Sequence, residues 1–515
     1  MDFLAEKAQR KLNKFLGRTG KLASHGHDKS PATVDAYDGP ISLQDVYRYR
    51  KQRGVNLGSW FTLERWISDA PFRSARDPAV SDYDTARGEN AKEILENHWD
   101  NWITEADWVW LSDHGINTVR IPIGFYHACG ADPSVLDGTD FSDFGNVFSG
   151  AWSRILRAID TASTFGIGVL IDLHAAAGKQ NDDAHSGQTG PVRFYERKNM
   201  AHTQHTLWVL ARELHMKENV VGLQLLNEPK NHNALQSWYS ATIDELRRVA
   251  PTLPLYIHDA WDTNHYAGFV GSRPESDFVV VDHHLYRCFT GEDQRLSGDD
   301  HAGALRAHMD GELAARSQSS RGNIVVAEFS AALNPASLRS GEAGEQDRQR
   351  RVFARAELEI FERHCAGWYF WTYKKDRWDA GWSLRDATLA EIMPAWYGIR
   401  RVPGKQVFND RVRMDEEKQK ALSEHAGFWT QYPGHYEHWR FEEGFVRGWD
   451  DAFTFFSVEI GSAVPELGFK GQWAKRRALT HTAEKGHSGN IWEFEIEHGL
   501  SEGVAAARRT LQESY

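Results

Sequence analysis

Short apolar runs recur along the chain at residues 54–60, 116–123, 166–174, 220–229, 254–260, 278–286, 323–330 and 367–374. Between most of them lie amphipathic stretches with apolar residues three and four apart, at 92–114, 151–165, 200–217, 235–249, 302–317 and 346–364. Strand and helix units repeated in series predict an α/β fold, a closed (β/α)8 TIM barrel, over residues 41–400. That span exceeds the roughly 250 residues of a typical barrel, so long loops are expected. Barrel chemistry belongs at the carboxyl ends of the strands. There the pattern leaves Arg120, His174, Asn227, Glu228, His284, Tyr286, Glu328 and Trp371.

The two ends of the chain read differently. Within residues 1–22 the pattern is that of a basic amphipathic helix, with Leu4, Ala8, Leu12, Phe15 and Leu16 on one side and Lys7, Arg10, Lys11, Lys14 and Arg18 on another. Docking on the protein, weak contact with an anionic membrane surface and organelle targeting all fit it, and Asp2 and Glu6 count against the last. Residues 23–40 turn to Ser, His, Asp, Gly and Pro, as a linker does. Residues 401–515 carry a charged helical stretch at 414–425, an aromatic-rich region from Phe428 to Phe441 and an Ala-rich stretch at 503–511. They predict a mostly helical extension packed on the barrel, with a small sugar-binding β-module as the rival.

Composition narrows the function. A net charge of -12 without a dominant basic stripe argues against a nucleic-acid partner. The three cysteines, Cys129, Cys288 and Cys365, are odd in number and widely spaced, which suits a reducing compartment. The chain has no Asn-x-Ser/Thr sequon, no long apolar stretch of a signal peptide in its first 21 residues and no later run able to span a bilayer. A cytoplasmic location is therefore expected. Gly-rich phosphate motifs are missing, so no nucleotide cofactor is expected. Asp282-His283-His284 invites a metal reading, but neighbours on a strand point to opposite faces, and the sequence shows no Cys or His cluster to complete a site; no metal is expected.

Two apolar runs end on a glutamate: Leu223-Gln224-Leu225-Leu226-Asn227-Glu228-Pro229 and Asn323-Ile324-Val325-Val326-Ala327-Glu328-Phe329-Ser330. Alone, Asn-Glu-Pro reads as a helix N-cap and turn. Two glutamates at the ends of two buried parallel strands are what glycoside hydrolysis needs, one acid to protonate the leaving oxygen and one carboxylate to attack the sugar. Twenty tryptophans fit a carbohydrate substrate, since sugars are held on aromatic faces, although core packing is their default use.

The chain resembles glycoside hydrolase family five, and within it the fungal exo-β-1,3-glucanase group. The resemblance rests on Gly54-Val55-Asn56-Leu57-Gly58-Ser59-Trp60, Thr118-Val119-Arg120-Ile121-Pro122, Asp172-Leu173-His174, Asn227-Glu228-Pro229, Asp282-His283-His284-Leu285-Tyr286, Ala327-Glu328-Phe329-Ser330 and Gly367-Trp368-Tyr369-Phe370-Trp371, in that order over about residues 50 to 400. It implies a retaining double displacement with Glu228 as acid/base and Glu328 as nucleophile. Glu328 should stay ionised beside Arg120 and Tyr286, and its charge should raise the pKa of Glu228. The resemblance also implies that Asn227 bonds the sugar 2-hydroxyl, that His174 and His284 bind the reacting sugar, that Trp371 forms its floor and that Glu64 grips sugar hydroxyls.

The sequence departs from that group in two places. After the third strand, Asp183 stands where an aromatic residue of the secreted enzymes clamps the glucan, while Phe289 still matches the opposing aromatic. The absent signal peptide is the second departure. The expected activity is release of β-linked glucose from the non-reducing end of β-1,3-glucan or oligosaccharides. The alternatives are an intracellular β-glucosidase on lipid-linked or small-aglycone glucosides, a transglycosylase, and an idle carbohydrate-binding barrel.

Overall fold

The computed structural model describes residues 40–274, 277–338, 342–432, 434–485 and 493–514. The expected amphipathic segment 1–22 and all but the last residue of the linker 23–40 lie outside the described residues. Eight parallel strands close a barrel in chain order: β1 (Gln52–Asn56), β2 (Thr118–Gly124), β3 (Gly168–Ala175), β4 (Val220–Gln224), β5 (Leu255–His258), β6 (Val279–Leu285), β7 (Ile324–Phe329) and β8 (Gly367–Phe370). Every residue of β3, β6 and β7 is buried, which is why they read as continuous apolar runs and not as alternating ones.

Several strands stop short of their apolar pattern. β1 ends at Asn56, not Trp60, and β4 ends at Gln224, not Pro229, because Leu225 and Leu226 remain buried after the ladder has ended. The stretch expected as one helix at 92–114 divides into Ala91–Asn101 and Glu105–Asp113. A capping box starts the second helix, Asp107 accepting from the Thr104 backbone N–H at 2.8 Å. The helical stretch after β6 comprises Gly298–Ala304, a π-helical turn at Leu305–Met309 and Asp310–Ser319.

Inside the barrel, small and large residues alternate. A Cβ at Gly54 would lie 2.4 Å from the Tyr369 ring, and one at Gly222 would lie 2.3 Å from the Tyr256 ring. Those two rings fill the barrel below the candidate site, both hydroxyls bonding Gln52. This layer is continuous with a second core that includes Tyr49, Phe278, Trp449, Phe469 and Trp473.

The second core joins the barrel to the C-terminal region, which among the described residues is helical: Arg411–Trp429, His438–Ser457, Lys470–Lys485 and Glu493–Ser514. No sugar-binding β-module is found among the described residues. The region packs beneath the strands' amino ends, where the Trp473 ring meets Tyr49 edge-on at 4.8 Å. His438–Ser457 and Glu493–Ser514 approach closely through glycines: a Cβ at Gly448 would lie 2.2 Å from the Leu500 carbonyl oxygen, and one at Gly503 2.1 Å from that of Phe445. A buried ion network completes the joint. Arg53 pairs with Glu362 at 2.8 Å and with Glu466 at 2.7 Å, and Arg508 reaches Glu466 at 2.6 Å.

Candidate active site

The opposite end of the barrel, at the carboxyl ends of the strands, opens into a cleft of about 1160 Å³. Glu328 lies within β7, in register with His284 of β6, and a bulge between His283 and His284 sets that pairing. Arg120 of β2 is paired with Asn56 of β1 and is fully buried. Its guanidinium donates to Glu328 Oε1 and Asn56 Oδ1 at 2.9 Å, to Gln224 Oε1 at 2.9 Å and to Asn227 Oδ1 at 2.8 Å, and it meets Asp172 at 3.0 Å. A buried arginine answered on every side in this way orients several acceptors at once. The other oxygen of Glu328 accepts the Tyr286 hydroxyl at 2.7 Å.

Glu228 stands in the loop after β4 with φ +42, a left-handed conformation rare for a residue with a side chain. Amides from the loop after β3 hold it there, Gln180 donating to the Asn227 carbonyl at 3.0 Å and Asn181 to the Glu228 carbonyl at 3.1 Å. So held, Glu228 receives a hydrogen bond from His284 Nδ1 at 2.7 Å, and the same nitrogen lies 3.4 Å from Glu328 Oε2. The two glutamates thus face each other across one imidazole nitrogen. The other His284 nitrogen meets Asp282 at 3.2 Å.

Protonation in this site differs from the expectation that Glu328 holds the charge and Glu228 the proton. Burial opposes a charged His284, but Glu328 and Asp282 outweigh it and lift its pKa well above the ordinary histidine value. Burial also tends to raise Glu228, yet the hydrogen bond and charge of His284 hold it below the usual carboxylate range. Glu328 is pushed up by burial to about 7, against the pull of His284 and Arg120. The cause is position: the imidazole is hydrogen-bonded to Glu228 and only adjacent to Glu328. The charged form of His284, between the two carboxylates, is thus favoured by its neighbours.

The remaining predicted residues surround this pair. His174 Nδ1 bonds Asp172 at 2.6 Å, its Nε2 faces the Asn227 amide at 3.3 Å, and its ring lies parallel to Trp371 at 5.7 Å. Glu64 accepts from the Trp66 indole at 2.7 Å and is pushed by burial to about 7. Phe289, 69 % exposed, stands at the rim against Tyr286 and Trp382. Asp183 is exposed at the same rim.

Sequence reasoning missed His185, His258, Trp261 and Trp382. His185 Nε2 lies 3.6 Å from Glu228 and 3.7 Å from Asp183; burial opposes its charge, but Asp183, Glu64 and Glu228 lift it to about 9. His258 packs on His284 at 4.4 Å. Both come from strand ends or loops whose neighbours are fixed only by barrel closure. His283 turns away to Asp259 at 2.7 Å, so it and His284 do not face one ion. The expectation that no cluster of ligand-type residues forms is corrected: barrel closure brings Glu228, His258 and His284 together, and also Asp183, His185 and Glu228, each within 4.8 Å.

A closed eight-stranded barrel with facing glutamates at the carboxyl ends of its strands has the plan of an O-glycosyl hydrolase. The chain belongs to glycosyl hydrolase family 5: the family model described as cellulase (glycosyl hydrolase family 5) matches residues 84–377, and a second, described as the glucan 1,3-beta-glucosidase 3 C-terminal domain, matches 411–511. The chain is 32% identical over 468 residues to glucan 1,3-beta-glucosidase 3 of Schizosaccharomyces pombe, covering 88% of this chain and 95% of that one. It is 28% identical to a probable glucan 1,3-beta-glucosidase A of Emericella nidulans over 69% of this chain and 93% of the relative. A rutinosidase from Aspergillus niger shares the fold at a TM-score of 0.52 and 19% identity, covering 65% of this chain and 93% of that one. The protein is thus a glycoside hydrolase with a carbohydrate substrate. No helix among the described residues is long and apolar enough to cross a membrane.

Proposed function

We propose that the protein is a retaining β-glucosidase that releases glucose from the non-reducing end of β-1,3-linked glucan or oligosaccharides. The observation that carries this reading is the pair Glu228 and Glu328 meeting at one nitrogen of His284, with Arg120 and Tyr286 both donating to Glu328. That proximity favours the short carboxyl separation of about 5–5.5 Å used for double displacement. In the first step the Glu328 carboxylate attacks the anomeric carbon and the bond to the leaving oxygen breaks. Glu228 protonates that oxygen. Its proton comes from His284 Nδ1, 2.7 Å away, once bound sugar has displaced water from the pair. In the second step water attacks the same carbon, gives its proton to Glu228 and frees Glu328.

Asn227, oriented by Arg120, is suited to the sugar 2-hydroxyl, and Trp371 and Glu64 to the floor and the far hydroxyls of the sugar. The relatives named as glucan 1,3-beta-glucosidases support β-1,3-glucan as the substrate. A second reading, a lipid-linked or small-aglycone glucoside, is favoured by the outer cleft. Leu296, Leu305 and Met309 line it beside exposed Trp261 and Phe289, and Asp183 replaces an aromatic clamp. Glucose release from β-1,3-, β-1,4- and β-1,6-linked glucosides and from steryl glucoside vesicles, with Glu328→Gln as blank, tests both. Release from laminari-oligosaccharides alone supports the first reading. Release from the vesicles alone replaces it with the second, and release from none overturns both.

A further inference from the structure

A third group of ligand-type side chains lies outside the barrel, where three C-terminal helices meet. His425 comes from Arg411–Trp429, His438 is the first residue of His438–Ser457, and Glu495 lies in the first turn of Glu493–Ser514. Their potential ligand atoms lie within 4.8 Å of one another. His425 and Glu495 are fully buried.

What distinguishes this group is that each of its three members has a buried polar atom without a partner. His425 Nε2, His438 Nδ1 and Glu495 Oε2 are buried and make no hydrogen bond among the described residues. His425 Nδ1 faces His498 Nδ1 at 3.0 Å, and Glu495 Oε1 accepts the Glu437 backbone N–H at 3.1 Å. With the proton of that imidazole pair on His425 Nδ1, the lone pair of His425 Nε2 is free to bind an ion, and the hydrogen bond to His498 is of the outer kind that orients a metal-binding histidine. The rings are held flat, His425 against Phe441 at 4.2 Å and His438 against Tyr436 at 5.7 Å. His438 Nδ1 is 3.7 Å from Glu495 Oε1, too far to satisfy it by a direct hydrogen bond. Two imidazoles and a carboxyl group, each with one atom left unpaired, form a donor set for a dication. The barrel triads differ, because Glu228, common to both, is already bonded to His284 at 2.7 Å.

We infer that His425, His438 and Glu495 bind one divalent transition-metal ion, zinc by this donor set, which ties the three C-terminal helices together with water in the fourth position. The ion is structural: its ligands converge from three helices, away from the cleft.

The test uses the full chain, stripped with a chelator and titrated with zinc chloride, read by calorimetry, bound-metal analysis and thermal melting. The expected result is one equivalent of zinc and a higher melting temperature, both lost in His438→Gln and in Glu495→Gln and both kept in His258→Gln. Circular dichroism of each metal-free variant reports folding, and the wild-type and His258→Gln titrations stand even if a C-terminal variant does not fold. No zinc uptake by the folded wild-type chain overturns the proposal and assigns the orphan atoms to water. Zinc lost in His258→Gln but kept in either C-terminal variant overturns it in favour of the barrel cluster.

Discussion

The two ends of the barrel handle buried charge in opposite ways. Beneath the strands, Arg53 is answered by Glu362 and Glu466, Arg508 adds a second cation to Glu466, and the C-terminal helices pack against this end. At the other end His284 and His185 face Glu328, Glu228 and Glu64 in an open cleft, with Arg120, Asp282 and Asp172 buried beneath them and Asp172 and Glu328 each raised by burial to about 7. One end is paired and closed, and so contributes rigidity. The other presents Glu64, Glu228, Glu328, His174, His185 and His284 to the cleft, which suits a polar substrate.

If that contrast is right, damage at the two ends separates cleanly. Glu328→Gln leaves the fold intact but lowers turnover on the order of 10,000-fold or more, as for loss of a group that acts covalently; initial rates on an aryl β-glucoside measure it. At the closed end, Arg53→Ala leaves Glu466 and Glu362 short of a partner and costs about 3–5 kcal/mol of stability, while the turnover of the folded fraction is unchanged. Urea unfolding followed by fluorescence, with activity measured on the same samples, checks both halves, and a fall in turnover without a fall in stability would erase the contrast.

A smaller effect sharpens the account of the open end. Glu328 must be ionised to attack, and its pKa is about 7, so kcat/KM falls in proportion as pH drops below that value. Tyr286 donates to the ionised form. Tyr286→Phe removes that support, raises the pKa of Glu328 and moves the acidic limb of the pH profile to higher pH, with a loss of about 1.5–3 kcal/mol in transition-state stabilisation. A limb that stays in place would show that another group sets it. Least of all, Phe289→Ala at the exposed rim costs roughly 0.5–1.5 kcal/mol of binding, seen as a higher KM for a trisaccharide with kcat unchanged.

The same contrast explains what could be read from the chain. Strands buried on both faces, such as β3 and β7, announce themselves as continuous apolar runs, and a glutamate closing such a run points to the site. Where the ladder ends is less legible, because Leu225 and Leu226 stay buried beyond β4. His185, in a loop, and His258, at the end of β5, lie near the glutamates only through barrel closure, and no local pattern marks them. The place of His284 between the glutamates was illegible for a related reason: it depends on a bulge in β6 that brings one nitrogen to 2.7 Å from Glu228 and 3.4 Å from Glu328. His425, His438 and Glu495 are spread over three helices, with none of the close spacing by which a metal site is recognised in sequence.

The most direct test of the central claim is to trap the enzyme with a 2-deoxy-2-fluoro-β-glucoside bearing an activated leaving group and locate the label by peptide mass spectrometry. The account predicts one fluoroglucosyl group on Glu328, formed as activity is lost and released when an acceptor sugar is added. A label on any other residue, or full turnover of the compound with inversion at the anomeric carbon, would contradict it.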